Sequence, residues 1–154
     1  MTTPASAVLA AAGIDFEAHE FEAEGRDYGK AAAAALGVDE ERVFKTLMAE
    51  IDGRPAVGIV PVAGMLSLRS FAAALRGKRA VMMEPSTAER ITGYVVGGIS
   101  PFGQRRQSPT VLDASAMTHK TIYVSGGRRG LDLEVAPADL VRVLSATVAA
   151  IATD

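Results

Sequence analysis

The sequence predicts an α+β fold, in which a mixed set of short strands packs with helices in one domain spanning residues 1–154. Segments with strand periodicity and segments with helix periodicity both occur, but they do not follow the regular alternation of doubly wound α/β proteins. A chain of 154 residues has the usual length of one domain and can bury a substantial core. Its composition, 49% hydrophobic and 22% charged, is typical of a soluble globular protein.

Helical segments are indicated by their capping residues and by their apolar periodicity. Pro4, Pro85 and Pro137 stand where the first turn of a helix would begin, and Ser67 is a typical N-cap residue. Glycines follow several of these segments at the position of a left-handed C-cap. The predicted helices are residues 4–12, 29–36, 67–75, 85–91 and a last helix that starts at Pro137 and carries Leu140, Val143, Leu144, Val148 and Ile151 on one face.

Strands are predicted where apolar residues alternate with polar ones or form short continuous runs. The pair Asp52 and Gly53 is a strong hairpin signal between two of these segments. Residues 22–27 are predicted to form a charged loop. The predicted strands are residues 14–21, 43–51, 56–60, 79–83, 110–112, 121–125 and 131–135.

The composition excludes several classes of protein. A net charge of −2 argues against a protein that coats nucleic acid through bulk charge, although a local basic patch stays compatible with it. The absence of cysteine excludes disulfides, thiolate metal ligands and a cysteine nucleophile, and it fits the cytosol. We expect no secretory signal and no membrane span, because the most apolar window, residues 56–66, is shorter than the ~20 residues that cross a bilayer.

Familiar catalytic motifs are also missing. The sequence contains no G-x-S-x-G motif, no Walker A loop and no dinucleotide-binding G-x-G-x-x-G motif. His19 and His119 are isolated in the sequence and lack metal-ligand spacing. We therefore expect no metal site and no cofactor.

Three features remain as candidates for function, each with a structural alternative. Lys45 lies in a predicted strand on the same face as Val43 and Leu47, so it either works on a ligand or extends its ammonium group to solvent. The glycine-rich stretch 93–103 either exposes backbone N–H groups to an oxygen of a ligand or simply connects two elements. Two arginine pairs beside glycine turns, at 105–106 and 128–129, either contact phosphates or are solvated.

The order of three segments is more specific than any one of them. Residues 44–47 (FKTL), 93–104 (GYVVGGISPFGQ) and 122–132 (IYVSGGRRGLD) together resemble the YbaK/EbsC family. Within the prolyl-tRNA synthetase editing-domain superfamily they resemble the free-standing Cys-tRNA(Pro) deacylase branch. The resemblance covers nearly the whole chain and implies a mixed, barrel-like β-sheet surrounded by helices. It also implies a cytoplasmic enzyme that removes cysteine wrongly attached to proline tRNA.

The resemblance further implies roles for individual residues. Lys45 and Gly97 match the positions taken as catalytic, and no metal or cofactor is implied. The implied substrate-binding residues are Phe21, Thr46, Gly98, Ile99, Ser100, Pro101, Ser125 and Asp132. The implied tRNA-binding residues are Arg105, Arg106, Arg128 and Arg129.

One of these positions departs from the family pattern. Phe21 stands where members of this branch often have tyrosine, so a hydroxyl group is missing while the ring is kept. The chain is therefore expected to be either a trans-editing deacylase or a non-catalytic module that binds aminoacyl-tRNA or a synthetase. In the first case the partner is proline tRNA charged with cysteine, with prolyl-tRNA synthetase as an optional second partner.

Overall fold

The computed structural model describes residues 2–22 and 27–154. Residues 23–26 of the loop predicted at residues 22–27 lie outside this part of the chain. The α-helices are α1 (Pro4–Ala11), α2 (Tyr28–Leu36), α3 (Leu68–Ala74), α4 (Pro85–Thr92) and α5 (Pro137–Leu144), with 3₁₀ turns at Glu40–Arg42 and Ala114–Thr118. The strands are β1 (Phe16–Glu20), β2 (Phe44–Ile51), β3 (Arg54–Pro61), β4 (Met65–Leu66), β5 (Ala80–Met82), β6 (Thr110–Asp113), β7 (Ile122–Ser125), β8 (Leu131–Val135), β9 (Thr147–Ala149) and β10 (Ala152–Thr153).

The predicted starts of α1 and α3 are confirmed by their caps, and Pro85 and Pro137 stand at the first turns of α4 and α5 as predicted. Thr3 forms a capping box with Ser6 at the start of α1, and Ser67 accepts from the backbone N–H of Ser70 at the start of α3. Gly37 and Gly93 close α2 and α4 in the left-handed conformation. Among the described helices, none has the length and hydrophobicity that a membrane crossing requires.

The last helix is shorter than the sequence predicted. It ends at Leu144 because Ser145 adopts the left-handed conformation with φ +50, which breaks the helical path. Val148 then lies in β9, which pairs parallel with β6, and Ile151 is fully buried beyond it. Val148 and Ile151 therefore lie beyond the end of α5, in β9 and in the link between β9 and β10, and their placement on the helix was wrong.

The strands form a mixed α+β architecture, as predicted. One sheet has the order β5-β2-β3-β6-β9, a second has the order β1-β8-β7, and β4 pairs with β10. The large sheet is mixed, because β2, β3 and β5 pair antiparallel whereas β6 joins β3 and β9 in parallel. Among the described residues, the sheets stay separate and do not close into one barrel, although an isolated bridge from Val43 to Tyr123 links the two larger ones.

Strand β2 lies between two apolar clusters and carries the segment that matters for the site. Phe44 and Met48 belong to the main core, whereas Ala49 and Ile51 pack against the α3 side of the sheet. Its partner β5 pairs only with residues 49–51, so that the first half of β2 keeps one edge without a neighbouring strand of its own sheet. This uncovered edge is where the main cleft of the protein opens.

Candidate functional site

A cleft of about 520 Å³ lies along the uncovered edge of β2. Its floor comes from residues 43–48, one wall from the start of α2 and the ends of β7 and β8, and the other from β5, α4 and the glycine-rich stretch. Its volume is within the roughly 300–1,000 Å³ usual for small-molecule sites. The lining residues include Phe21, Tyr28, Lys45, Thr46, Met48, Met83, Ala88, Val96, Gly97, Ile99, Ser125, Arg128 and Asp132.

Lys45 lies in the floor of this cleft because of its position on β2. It pairs in register with Val60 of β3, and its side chain is half-buried. None of the ion pairs found in residues 2–22 and 27–154 involves Lys45. A half-buried ammonium group in a largely apolar cleft interacts more strongly with an anionic or polarised oxygen than it would in open water.

Thr46 is the neighbouring residue of the same strand and also lines the cleft. Its Oγ1 is shielded from solvent and has no hydrogen-bond partner among the described residues. Leaving such a group unpaired costs about 1–3 kcal/mol. Thr46 therefore places an unpaired polar atom just beneath the surface of the cleft.

Asp132 is a buried acid in the cleft wall that is formed by β7 and β8. It lies on β8 between His19 of β1 and Ser125 of β7, and it is 6% exposed. Burial raises the pKa of Asp132 to about 6, while the positive charge of a protonated His19 opposes this rise. A carboxyl group of this kind in a cleft is typical of a functional position.

Asp132→Asn is expected to raise the melting temperature at pH 7 by several degrees and to leave it nearly unchanged at pH 4. The pKa of Asp132 lies at about 6 in the folded protein and ordinarily at 3.8, so folding favours the protonated form. Stability is therefore lost as the pH rises from about 4 to 6, and at pH 7 the cost is on the order of 3 kcal/mol. Melting curves of wild type, Asp132→Asn and the exposed control Asp15→Asn across this pH range test the prediction. Parallel curves for wild type and Asp132→Asn would contradict it.

The glycine-rich stretch contains a tight turn at residues 95–98. The N–H of Gly98 donates to the carbonyl of Val95 at 2.8 Å, and Gly97 has φ +90, which favours glycine. A Cβ atom on Gly97 would also lie 2.5 Å from Cε2 of Tyr28. Gly97 thus needs both its conformational freedom and its missing side chain, because the Tyr28 ring packs directly on its Cα.

Several neighbours of this turn shape the loop and do not line the cleft. A Cβ atom on Gly98 would lie 2.8 Å from the backbone of Arg128, so Gly98 allows two loops to touch. Ser100 and Pro101 are buried, and the Ser100 hydroxyl accepts from the backbone N–H of Phe102. Of the residues implied for substrate binding in this stretch, Ile99 is the one that faces the cleft.

The two arginine pairs differ in their surroundings. Arg128 lines the cleft and forms an ion pair with Glu20 at 3.2 Å. Arg129 lies outside the cleft lining, where its Nε donates to the carbonyl of Val96 at 2.8 Å. Arg105 and Arg106 are exposed and also lie outside the cleft lining.

Tyr28 is a site residue that sequence reasoning missed. It starts α2, lines the cleft and carries the guanidinium group of Arg129 4.8 Å above its ring centroid. Phe21 lines the cleft as well, and its N–H donates to the carbonyl of Gly130. A tyrosine at a helix start has no pattern in the sequence that distinguishes it from a surface residue, so only the fold reveals its role.

A polar cluster lies on β1 and β8 beside Asp132. His19 Nε2 is 3.0 Å from Glu134 Oε1 and 3.8 Å from Glu17 Oε2, a spacing that could hold a metal ion. Glu134, however, also accepts from Thr121 at 2.5 Å and lies 3.6 Å from Arg42. The hydrogen bond from the Thr121 hydroxyl makes the largest contribution to holding the pKa of the Glu134 carboxyl below its usual value, and the hydrogen bond to His19 acts in the same direction against the effect of burial. The charge of Glu134 is therefore already compensated by contacts with neighbouring residues of the chain.

Comparisons with known proteins show which family and which fold the chain is similar to. The family model of the aminoacyl-tRNA editing domain matches residues 22–143. A protein of Enterococcus faecalis, EbsC, which its name gives as a proposed Cys-tRNA(Pro)/Cys-tRNA(Cys) deacylase, is 32% identical over 142 residues, covering 91% of this chain and 87% of that protein.

Solved structures show the same fold. The crystal structure of the hypothetical protein APE2540 has a TM-score of 0.89 and 27% identity, covering 98% of this chain and 100% of that one. The crystal structure of a proposed trans-editing enzyme for prolyl tRNA synthetase has a TM-score of 0.88 and 22% identity, covering 100% of this chain and 99% of that one.

Proposed function

Because the chain belongs to the aminoacyl-tRNA editing domain family, of the YbaK/EbsC type that the sequence predicted, we propose that it is a trans-editing deacylase acting on Cys-tRNA(Pro). The observation that carries the proposal is the cleft in which Lys45 and the Gly97 turn face a common space. Neither group is a nucleophile under ordinary conditions. Both are suited to bind and polarise an ester.

The cleft offers separate groups for the separate parts of an aminoacyl ester. The ammonium group of Lys45 and the N–H of Gly97 are donors that suit the carbonyl oxygen and the ribose oxygens, and Thr46 lines the cleft beside Lys45. The carboxyl of Asp132 and the hydroxyl of Ser125 are neighbours on β8 and β7 that suit the α-amino group of the substrate. The apolar lining from Met48, Met83 and Ala88 keeps water away from these contacts.

The proposed chemistry uses the thiol of the substrate, as the family resemblance implies, and the chain itself has no cysteine. The cysteinyl sulfur attacks its own carbonyl carbon, and the bond from that carbon to the ribose oxygen breaks. The proton that the thiol loses on forming the thiolate is balanced by one taken up by the departing ribose oxygen, which becomes a hydroxyl, and the amino acid leaves as a cyclic thioester. In this scheme the protein orients the two groups and stabilises the negative oxygen that forms on the carbonyl.

A non-catalytic module that binds aminoacyl-tRNA or a synthetase is the second candidate, and Phe21 is the observation that favours it. Its ring lines the cleft without the hydroxyl group that relatives often carry there. A deacylation assay with purified protein and a panel of mischarged tRNAs separates the two candidates. Release of free tRNA from Cys-tRNA(Pro) supports the enzyme, whereas binding of the charged tRNA without release supports the module.

The polynucleotide part of the substrate needs contacts beyond the cleft. We assign this role to the exposed pair Arg105 and Arg106, which follow directly on the glycine-rich stretch that forms one wall. Prolyl-tRNA synthetase, as the source of the mischarged tRNA, is the proposed second partner, and the cytoplasm is the proposed place of action. Addition of the synthetase to the assay should raise the deacylation rate at limiting tRNA concentration if the two proteins work together.

Reversing Arg105 and Arg106 to glutamate is expected to weaken tRNA binding at least tenfold and to lower its salt dependence. Each lost phosphate contact reduces the slope of log K against log salt concentration by about 0.7–0.9. Filter binding across a salt series measures this slope. The matched control is Arg54→Glu, which alters an exposed arginine at the start of β3. An unchanged slope in the double variant would place the pair in open solvent.

A further inference from the structure

The turn at residues 95–98 has a defined type that its dihedral angles reveal. Its third residue, Gly97, has φ +90, whereas Val96 is not among the described residues with positive φ. Together with the hydrogen bond from Gly98 to Val95, these angles are those of a type II turn. Types I and II differ by a rotation of about 180° of the central peptide. The central peptide here joins Val96 to Gly97, so its orientation decides where the Gly97 N–H points.

Arg129 is the side chain that holds this central peptide. Its Nε donates to the Val96 carbonyl at 2.8 Å, and its guanidinium group lies 4.8 Å from the centroid of the Tyr28 ring. The same ring packs on Gly97, where a Cβ atom would lie 2.5 Å from Cε2. Arg129, Tyr28 and the turn therefore form one interlocked unit, in which the stacking on Tyr28 keeps the guanidinium group aimed at the carbonyl.

The orientation of the carbonyl determines that of the adjoining N–H. In a planar trans peptide the two groups point in opposite directions. With the Val96 carbonyl directed to Arg129 outside the cleft, the Gly97 N–H is directed away from Arg129, and Gly97 lines the cleft. This N–H has no acceptor in the part of the chain that the structure describes. The preceding N–H of Val96 is already used, since it donates to Glu89 Oε2 at 2.8 Å.

We propose that Arg129 is a positioning residue that locks the Val96–Gly97 peptide so that the Gly97 N–H faces the ester carbonyl oxygen. The proposal rests on the proposed deacylase function, because the donor is useful only when an oxyanion forms in the cleft. It gives Arg129 a role in the rate of the reaction, in place of the tRNA contact that the family resemblance implied. Arg128, on the other side of the peptide bond, lines the cleft and does not share this contact.

Kinetics separate a positioning role from a phosphate contact. Arg129→Ala is expected to lower the single-turnover rate constant about 10- to 100-fold at saturating enzyme, with the affinity for tRNA and its salt dependence unchanged. Arg129→Lys keeps the charge but has neither the Nε donor nor the planar group that stacks on Tyr28, so it should be slow as well. The control Arg54→Ala removes an exposed arginine and should match wild type. A normal rate constant with weaker binding, restored by lysine, would overturn the proposal.

A second measurement tests the lock without any substrate. In a type II turn the Val96 Hα lies close to the Gly97 amide proton, which gives a strong NMR cross-relaxation signal between them. The proposal expects this signal in wild type and its weakening in Arg129→Ala, or in Arg129→Lys if the alanine variant does not fold. An equally strong signal in the variant, or its absence in wild type, overturns the proposal. Since no tRNA is present, the result stands even if wild type deacylates none of the mischarged tRNAs, and the two failures stay distinguishable.

Discussion

Lys45→Ala is expected to lower the single-turnover rate of Cys-tRNA(Pro) deacylation by at least about a hundredfold. The side chain of Lys45 is half-buried in the floor of the cleft and has no ion-pair partner among the described residues, so its charge is available to the substrate. Loss of a positioned electrostatic group from an active site usually costs about two to three orders of magnitude. Because the truncation breaks no ion pair in this part of the chain, the melting temperature should stay within a few degrees of wild type.

Two further variants sharpen this test. Lys45→Arg should not restore activity, because a planar guanidinium group cannot replace a compact ammonium group at close range. Lys120→Ala removes an exposed lysine outside the cleft lining and should behave as wild type. If Lys45→Ala turned over near the wild-type rate, Lys45 would have no part in the mechanism. Its ammonium group would then simply extend to solvent, which is the structural alternative.

The fold was predictable from the sequence where local signals and tertiary contacts agree. Proline and serine at helix starts and glycine at helix ends gave the correct bounds within one or two residues for α1 and α3. The end of α5 was not predictable, because Ser145 is not a residue that usually adopts positive φ and the following segment is held by parallel pairing with β6. Such pairing depends on a strand more than 30 residues earlier in the chain, which no local pattern reports.

The candidate site was predictable in its elements but not in its detail. Lys45 and the Gly97 turn were identified from the sequence, and the structure places both at one cleft. The isolation of the Thr46 hydroxyl and the raised pKa of Asp132 arise from burial by distant segments, and burial cannot be read from residue order. The different contacts of Arg128 and Arg129 could not be predicted for a similar reason. Adjacent residues point to different neighbours once the loop has folded.

The amino-acid selectivity of the enzyme is expected to follow the chemistry of the substrate more than the shape of the cleft. A thiol with a pKa near 8.5 gives roughly a few per cent thiolate at pH 7, whereas an alcohol at the same position ionises negligibly. Serine and cysteine differ little in size, so Ser-tRNA(Pro) should bind with similar affinity but react at least about a thousandfold more slowly. Ala-tRNA(Pro) has no nucleophile on its side chain and should not react by this route.

Single-turnover deacylation of Cys-, Ser- and Ala-charged proline tRNA under identical conditions measures these differences, with the released product identified by mass. The cyclic thioester should be the first product from Cys-tRNA(Pro), followed by its hydrolysis to free cysteine. Its rate of release should rise with pH up to the pKa of the substrate thiol, because the thiolate is the attacking species. Comparable rates for all three substrates, or free cysteine without thioester at the earliest times, would show that the protein activates water, and the substrate-thiol mechanism would then be wrong.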